Sequence, residues 1–359
     1  MTKVYLRFPI NYYSIFSIRY SLITISFLAL TIMSLTSSGQ PVWHVLPNSP
    51  NQSFRHDDLC FVNPKLGWVV NIRGEIWKTR DGGESWEKLI HQPTAFRCVG
   101  FIDSLRGFVG NLGIAHWANS SDSVPLYKTL DGGKSWIQVT KFSGPRPNGL
   151  CGLQVVNKDV IVACGRVDGP PFFIKSVDGG STWTSKDMSA YAGMLIDVYF
   201  TSRDTGFIVG GTDKSRSASS SLIIYTTDGG KTWTTKIKDP GRYNHCWKIT
   251  HSSKKTLYVS IEEKLMTDTL KYFKSEDGGA TWIEKMVPDV QYGESQGIGF
   301  LNDKLGWIGG NVGYTLCTVD GGKSFNKMPQ GYLLNLNRIR FVNDTLAYAV
   351  GQRVYKFCK

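Results

Sequence analysis

Six carboxylates draw attention first, because each opens the same short string of Asp, Gly, Gly, two further residues and a large ring: Asp81, Asp131, Asp178, Asp228, Asp277 and Asp320. A carboxylate beside paired glycines is suited to general acid or base work, or to holding a hard cation. Repetition argues against both. Successive aspartates lie 43 to 50 residues apart, a period that belongs to a whole supersecondary unit. Catalysis needs one special acid, and these six occupy equivalent corners. A structural task fits each residue type better. Asp accepts from backbone amides just downstream, the glycines take positive φ without a Cβ clash, the Ser or Thr hydroxyl adds a local bond, and the ring packs on the adjoining sheet.

Aligning on the aspartate exposes the elements that carry it. Before Asp81, Leu59-Cys60-Phe61-Val62, Gly67-Trp68-Val69-Val70 and Glu75-Ile76-Trp77-Lys78-Thr79 read as three strands, and Ser85 to Leu89 reads as a fourth. The order returns at Phe101, Gly107-Phe108 and Tyr127-Lys128-Thr129, at Phe200 and Gly206-Phe207, and at Phe300 and Gly306-Trp307. A four-stranded meander is too small to bury its own faces. At this period it is the signature of a propeller blade. After the sixth box, Arg338–Val342, Leu346–Val350 and Arg353–Phe357 repeat only three strands, and Val42-Trp43-His44-Val45-Leu46 resembles the missing fourth. The expected fold is all-β: a seven-bladed propeller of four-stranded antiparallel blades over residues 40–359, its last blade closed by the N-terminal strand. Residues 111–125, 212–221 and 262–269 are expected as enlarged loops between second and third strands.

With its boxes covering nearly the whole chain after the leader, the sequence resembles the aspartate-box, or bacterial neuraminidase repeat, superfamily. The Gly-Trp second strand, the third-strand pattern and the blade count are most similar to the photosystem II stability/assembly factor family and its non-photosynthetic bacterial relatives. The resemblance implies a propeller in an extracytoplasmic location; it does not imply a photosynthetic role. Sialidases, xyloglucanases and sortilin-type receptors carry the same box.

In a propeller the first strands line the channel, the boxes face one end, and the segments entering the first strands face the other, where ligand sites form in a shared mouth. Those segments supply Arg55, His56, Arg97, Tyr243, His245, Glu294, Gln296 and Arg338, and the enlarged loops add Trp117 and Arg166. Arg recognises carboxylate or phosphate bidentately, and aromatic rings stack on sugars or peptide groups. The expected function is an exported, non-catalytic binding or assembly protein whose mouth takes a protein, a peptide or an acidic glycan. The alternative is a glycoside hydrolase. A sialidase-like reading pairs Tyr292 with Glu294 as nucleophile and helper, but Phe54-Arg55 matches that family's Phe-Arg-Ile-Pro start for two residues only. A xyloglucanase-like reading needs opposed carboxylates, for which Asp57, Asp58 and Glu294 are available.

Residues 1–39 carry Lys3, Arg7 and Arg19, no acid, an apolar run from Tyr20 to Met33 and then Ser37-Ser38-Gly39. This reads as a secretory signal cut after Gly39, leaving a periplasmic or secreted protein without a stable membrane span; a retained anchor is the alternative. Cleavage lowers the net charge from +12 to +9. The lysines are scattered, so nucleic acid is not an expected partner. Seven cysteines show no zinc-like spacing and fall in apolar strand runs, where most are expected to be buried thiols. Neither metal nor cofactor is expected, and the chain is expected to be a monomer.

Overall fold

The computed structural model describes residues 42–51, 55–114, 120–239, 243–263, 269–291, 294–310, 313–329 and 333–359. The unit Trp43–Cys358 is built from seven four-stranded sheets. Blades 1 to 6 run consecutively over 58–91, 96–139, 152–187, 194–238, 244–291 and 295–327. Blade 7 takes three strands from 338–358 and its outer strand from Val42–Val45. The predicted clasp is therefore present. Trp43 is fully buried there, edge-on to Trp307 of blade 6 at 5.4 Å and tilted against Phe357 at 5.5 Å.

Two sequence patterns have local physical causes. In four blades the glycine that starts the second strand lies under the phenylalanine that ends the first: a Cβ on Gly67, Gly107, Gly206 or Gly306 would meet the ring of Phe61, Phe101, Phe200 or Phe300 at 2.2 to 2.6 Å. Each ring is thus turned toward the preceding blade. Phe101 stacks on Trp68 at 3.5 Å, Phe300 on Tyr258 at 3.7 Å, and Phe61 on Tyr348 at 3.6 Å, so the ring closure between blades 7 and 1 reuses an ordinary blade contact.

The boxes supply the second. In the first, Thr79 Oγ1 donates to Asp81 Oδ1 at 2.8 Å and accepts from Gly83 N at 2.8 Å, while Ser85 donates its amide to Oδ1 and its hydroxyl to Oδ2 at 3.0 and 2.5 Å. The same set recurs at Asp131, Asp178, Asp228, Asp277 and Asp320. The Ser or Thr two residues ahead of the aspartate is a participant that the sequence reading did not single out. The serine and threonine hydroxyls, with the following amides, hold Asp81 and Asp277 down at about 2. Boxes also link blades. Lys78 donates to Gly132 O of the next blade at 2.7 Å, and Lys175 to Gly229 O at 3.1 Å.

Of the seven cysteines, Cys98, Cys151, Cys164 and Cys246 are buried, Cys60 and Cys317 half-buried, and Cys358 exposed, all as free thiols. Cys358 departs from the expectation because it ends the third strand of blade 7, where the other blades continue into a box. No helix among the described residues is long and apolar enough to cross a membrane.

Candidate site at the central channel

The seven first strands share a register: Leu59, Val99, Leu153, Val198, Ile249 and Ile298 each pair with the third residue of their second strand, and Ile339 pairs with the fourth, Ala349, because that strand starts one residue earlier. One step earlier along each strand stand Asp58, Cys98, Gly152, Asp197, Lys248, Gly297 and Arg338. Aliphatic side chains hold the blades together at the first position. Side chains of the second reach the axis.

Arg338 demonstrates this. From blade 7 it crosses to blade 4, donating Nη1 and Nη2 to the two oxygens of Asp197 at 2.7 and 2.8 Å, while its Nε lies 3.2 Å from Asp58 of blade 1. Arg340 donates to both Asp58 oxygens at 3.3 Å. Burial opposes the Asp197 charge, but Arg338 prevails and holds the carboxyl at about 2. Lys248, also buried, joins the cluster from blade 5. Its burial, aided by the Arg338 charge, lowers it to about 7, and its Nζ donates no hydrogen bond among the described residues.

A second tier lies nearer the mouth. Asp57 is ion-paired with buried Arg97, faces Arg55 at 3.5 Å and accepts Ile72 N at 3.0 Å. The ring of Trp247 lies 5.0 Å from the Arg97 guanidinium and 5.7 Å from that of Arg55, and its indole N–H donates to Asn337 Oδ1 at 3.0 Å. Gln296 donates to Glu262 at 2.6 Å, and His245 lies 3.7 Å from the same carboxylate. His56 contacts Pro50 O at 2.9 Å through Nε2, and burial lowers its pKa.

The structure therefore sorts the sequence-selected residues by depth. His56, Asp57, Asp58, Arg97, His245, Gln296 and Arg338 form a buried polar plug. Arg55, at 19 % side-chain exposure, and Tyr243, at 47 % exposure, reach the surface. Glu294 is half-buried and its backbone bridges Glu262. Arg166 stands apart on the rim, bound to the carbonyls of Gly169, Leu112 and Ile114. Trp117 and Tyr292 lie outside the described residues. Asp197, Trp247, Lys248, Glu262 and Arg340 were missed. Aligning the first strands would have found the first three, since each puts a charge or an indole where other blades carry Cys or Gly or an aliphatic.

Acids in the plug are counter-ions. Asp57, Asp58 and Asp197 face Arg55, Arg97, Arg338, Arg340 and Lys248. Paired glycosidase carboxylates stand on opposite sides of an open cleft, whereas Asp57 and Asp58 are sealed from solvent. Among the described residues no cluster of three His, Cys, Asp or Glu side chains is arranged to hold a metal ion.

Fold and boxes together define an aspartate-box seven-bladed propeller resembling the photosystem II assembly factors. A BNR/Asp-box repeat model matches residues 224–235, the box of blade 4. The chain is similar to the photosystem II assembly lipoprotein Ycf48 of Synechococcus sp. (strain CC9902), with 25% identity over 313 residues and 82% of each chain covered. It superposes on a solved structure of YCF48 bound to a D1 peptide with a TM-score of 0.63 at 17% identity, covering 89% of this chain and 97% of that one. A GH74 xyloglucanase from Xanthomonas campestris gives a TM-score of 0.61 at 12% identity, over 88% of this chain and 53% of the enzyme.

Proposed function

We propose that this protein is an exported, non-catalytic binding or assembly propeller whose mouth, at the end away from the boxes, receives an acidic segment of a protein partner. One observation carries the reading: the axial carboxylates are consumed by buried ion pairs, while Arg55 remains partly exposed above Trp247 with Tyr243 exposed at the same end. Buried charges arranged in this way rigidify a platform, and a planar guanidinium beside an indole is suited to a carboxylate next to an apolar or aromatic side chain. The likeness to Ycf48, and the peptide bound in the solved YCF48 structure, support a polypeptide over a glycan. The leader and its cleavage after Gly39 belong to this proposal.

The test is a pull-down of envelope proteins with the mature chain and with Arg55→Glu, read by quantitative mass spectrometry. Charge reversal should deplete the recovered partner at least tenfold. Equal recovery would remove the mouth from the mechanism, and release of aryl alcohol from aryl glycosides by the wild-type chain would replace binding with hydrolysis.

A further inference from the structure

Off the axis, on the rim between blades 2 and 3, a cavity of about 240 Å³ is lined by Ile114, Ser123, Arg146, Pro147, Asn148 and Arg166. Two cations converge on it, and its walls contain no carboxylate among the described residues. Arg166 is fixed in place. Its Nε donates to Gly169 O at 2.7 Å and its Nη1 to Leu112 O and Ile114 O at 2.8 and 3.3 Å, so carbonyls hold the fork without neutralising it and, among the described residues, Nη2 keeps both donors. Gly113, at φ +87°, lies where a Cβ would stand 3.3 Å from Nη1. Among the described residues Arg146 makes one bond, from Nη2 to Ser123 O at 3.1 Å.

Neighbouring acids are otherwise engaged. Asp168 takes a bidentate contact from Arg216 at 2.8 and 3.1 Å. Asp122 accepts from Val124 N and from the Tyr127 hydroxyl at 2.8 and 2.7 Å. Burial lowers the Arg166 pKa and outweighs the opposing charge of nearby Asp168. A preorganised fork with free donors beside a second arginine matches a carboxylate. At about 30 Å³ per water the cavity has room for roughly eight waters, the scale of one amino-acid side chain and its backbone. Among the described residues its apolar walls, Ile114 and Pro147, are aliphatic. A sugar acid would favour an aromatic platform, so the observations favour a peptide.

We propose that the Arg146–Arg166 pocket is a subsite for a Glu or Asp side chain of the polypeptide partner, a second anchor beside the axial mouth. It rests on the mouth reading only in assigning the ligand to a polypeptide on this face.

The subsite is tested by titrating the full mature chain with N-acetyl-glutamate amide while following the arginine Nε–Hε resonances by NMR, each assigned from its own variant. A saturable millimolar response on Arg166 is expected. It should be absent with the neutral N-acetyl-glutamine amide and weakened at least tenfold in Arg146→Gln, a surface change whose melting temperature checks folding. Arg166→Lys, which keeps the charge and loses the fork, should similarly weaken the response then read on the Arg146 resonance. Tighter binding of glucuronate or inorganic phosphate than of the glutamate probe would overturn the peptide assignment. A response confined to Arg55 would overturn the subsite while leaving the mouth standing, as would no saturation or unaltered binding in Arg146→Gln. A bound probe together with an Arg55→Glu pull-down that loses no partner would instead keep the subsite and discard the mouth.

Discussion

The two ends of this propeller treat carboxylates in opposite ways. At the box end, six aspartates are satisfied within a few residues of themselves, by amides and hydroxyls of their own turn, and none is buried: Asp81, Asp178 and Asp277 are exposed and Asp131, Asp228 and Asp320 half-buried. Toward the mouth, Asp57, Asp58 and Asp197 are buried and satisfied by arginines from other blades, 40 to 282 residues distant in sequence. A local network repeats, because each blade can build its own. The axial network cannot repeat, because it depends on which blades happen to face one another. Redundancy at one end and uniqueness at the other divide the chain into scaffold and site.

The largest effect should come from breaking the circle that keeps both ends in place. Deleting residues 40–48 removes Trp43 from its site against Trp307 and Phe357 and uncovers a strand edge. Loss of one such buried aromatic alone costs about 3 to 5 kcal/mol. The deleted chain should melt at least 10 °C lower by calorimetry and bind a peptide matching residues 40–48 in trans; unchanged melting would sink the clasp.

Next comes the contrast between the ends. Asp197→Asn leaves Arg338 buried without its bidentate partner, a loss of about 3 to 5 kcal/mol by urea unfolding. Asp178→Asn, in an exposed box, should cost clearly less. Equal losses would show that the boxes are no more dispensable than the axis.

Lys248→Met should act in the other direction. The lysine titrates at about 7 in the folded chain, against about 10.4 when unfolded, so between those values the unfolded chain binds more protons and the group contributes a rise of stability with pH. At pH 7 and below it is a net cost. Substitution should stabilise the protein by about 1 to 4 kcal/mol near neutrality, with the gain shrinking toward pH 10. Buried thiols, which burial pushes up, oppose that rise above about pH 8.5. The informative quantity is therefore the difference between variant and parent; a gain that does not depend on pH would refute the lysine as its source.

Much of the fold was legible because its devices are short-range. Asp81 with Gly82, Gly83 and Ser85, and Phe61 with Gly67, announce their geometry within a few residues, and Trp43 copies a box tryptophan closely enough to reveal the clasp. The site was legible only in outline. Arg55, Arg97 and Arg338 were identifiable from their place before first strands, but their depth was not, since Arg97 and Arg338 become buried through residues of other blades. Asp197 and Lys248 lie inside strands that read as core, and only superposing one blade on another reveals them as exceptions. Arg146 lies in an ordinary polar loop and becomes conspicuous beside Arg166 across the cavity.

The strand Val42–Val45 also settles a matter of topology. Leu46 N donates to Val354 O beside the clasp, so the N-terminal strand and the last strand of the chain lie side by side in one sheet, about 5 Å apart. A circle whose ends meet inside one sheet has no obligatory first blade. Joined across that gap and opened at another blade boundary, the chain would still enclose the same axis. During synthesis, however, the natural order leaves the first strand waiting for the last three, and the polar plug, with its anchor on Arg338, can assemble only after nearly the whole polypeptide is available.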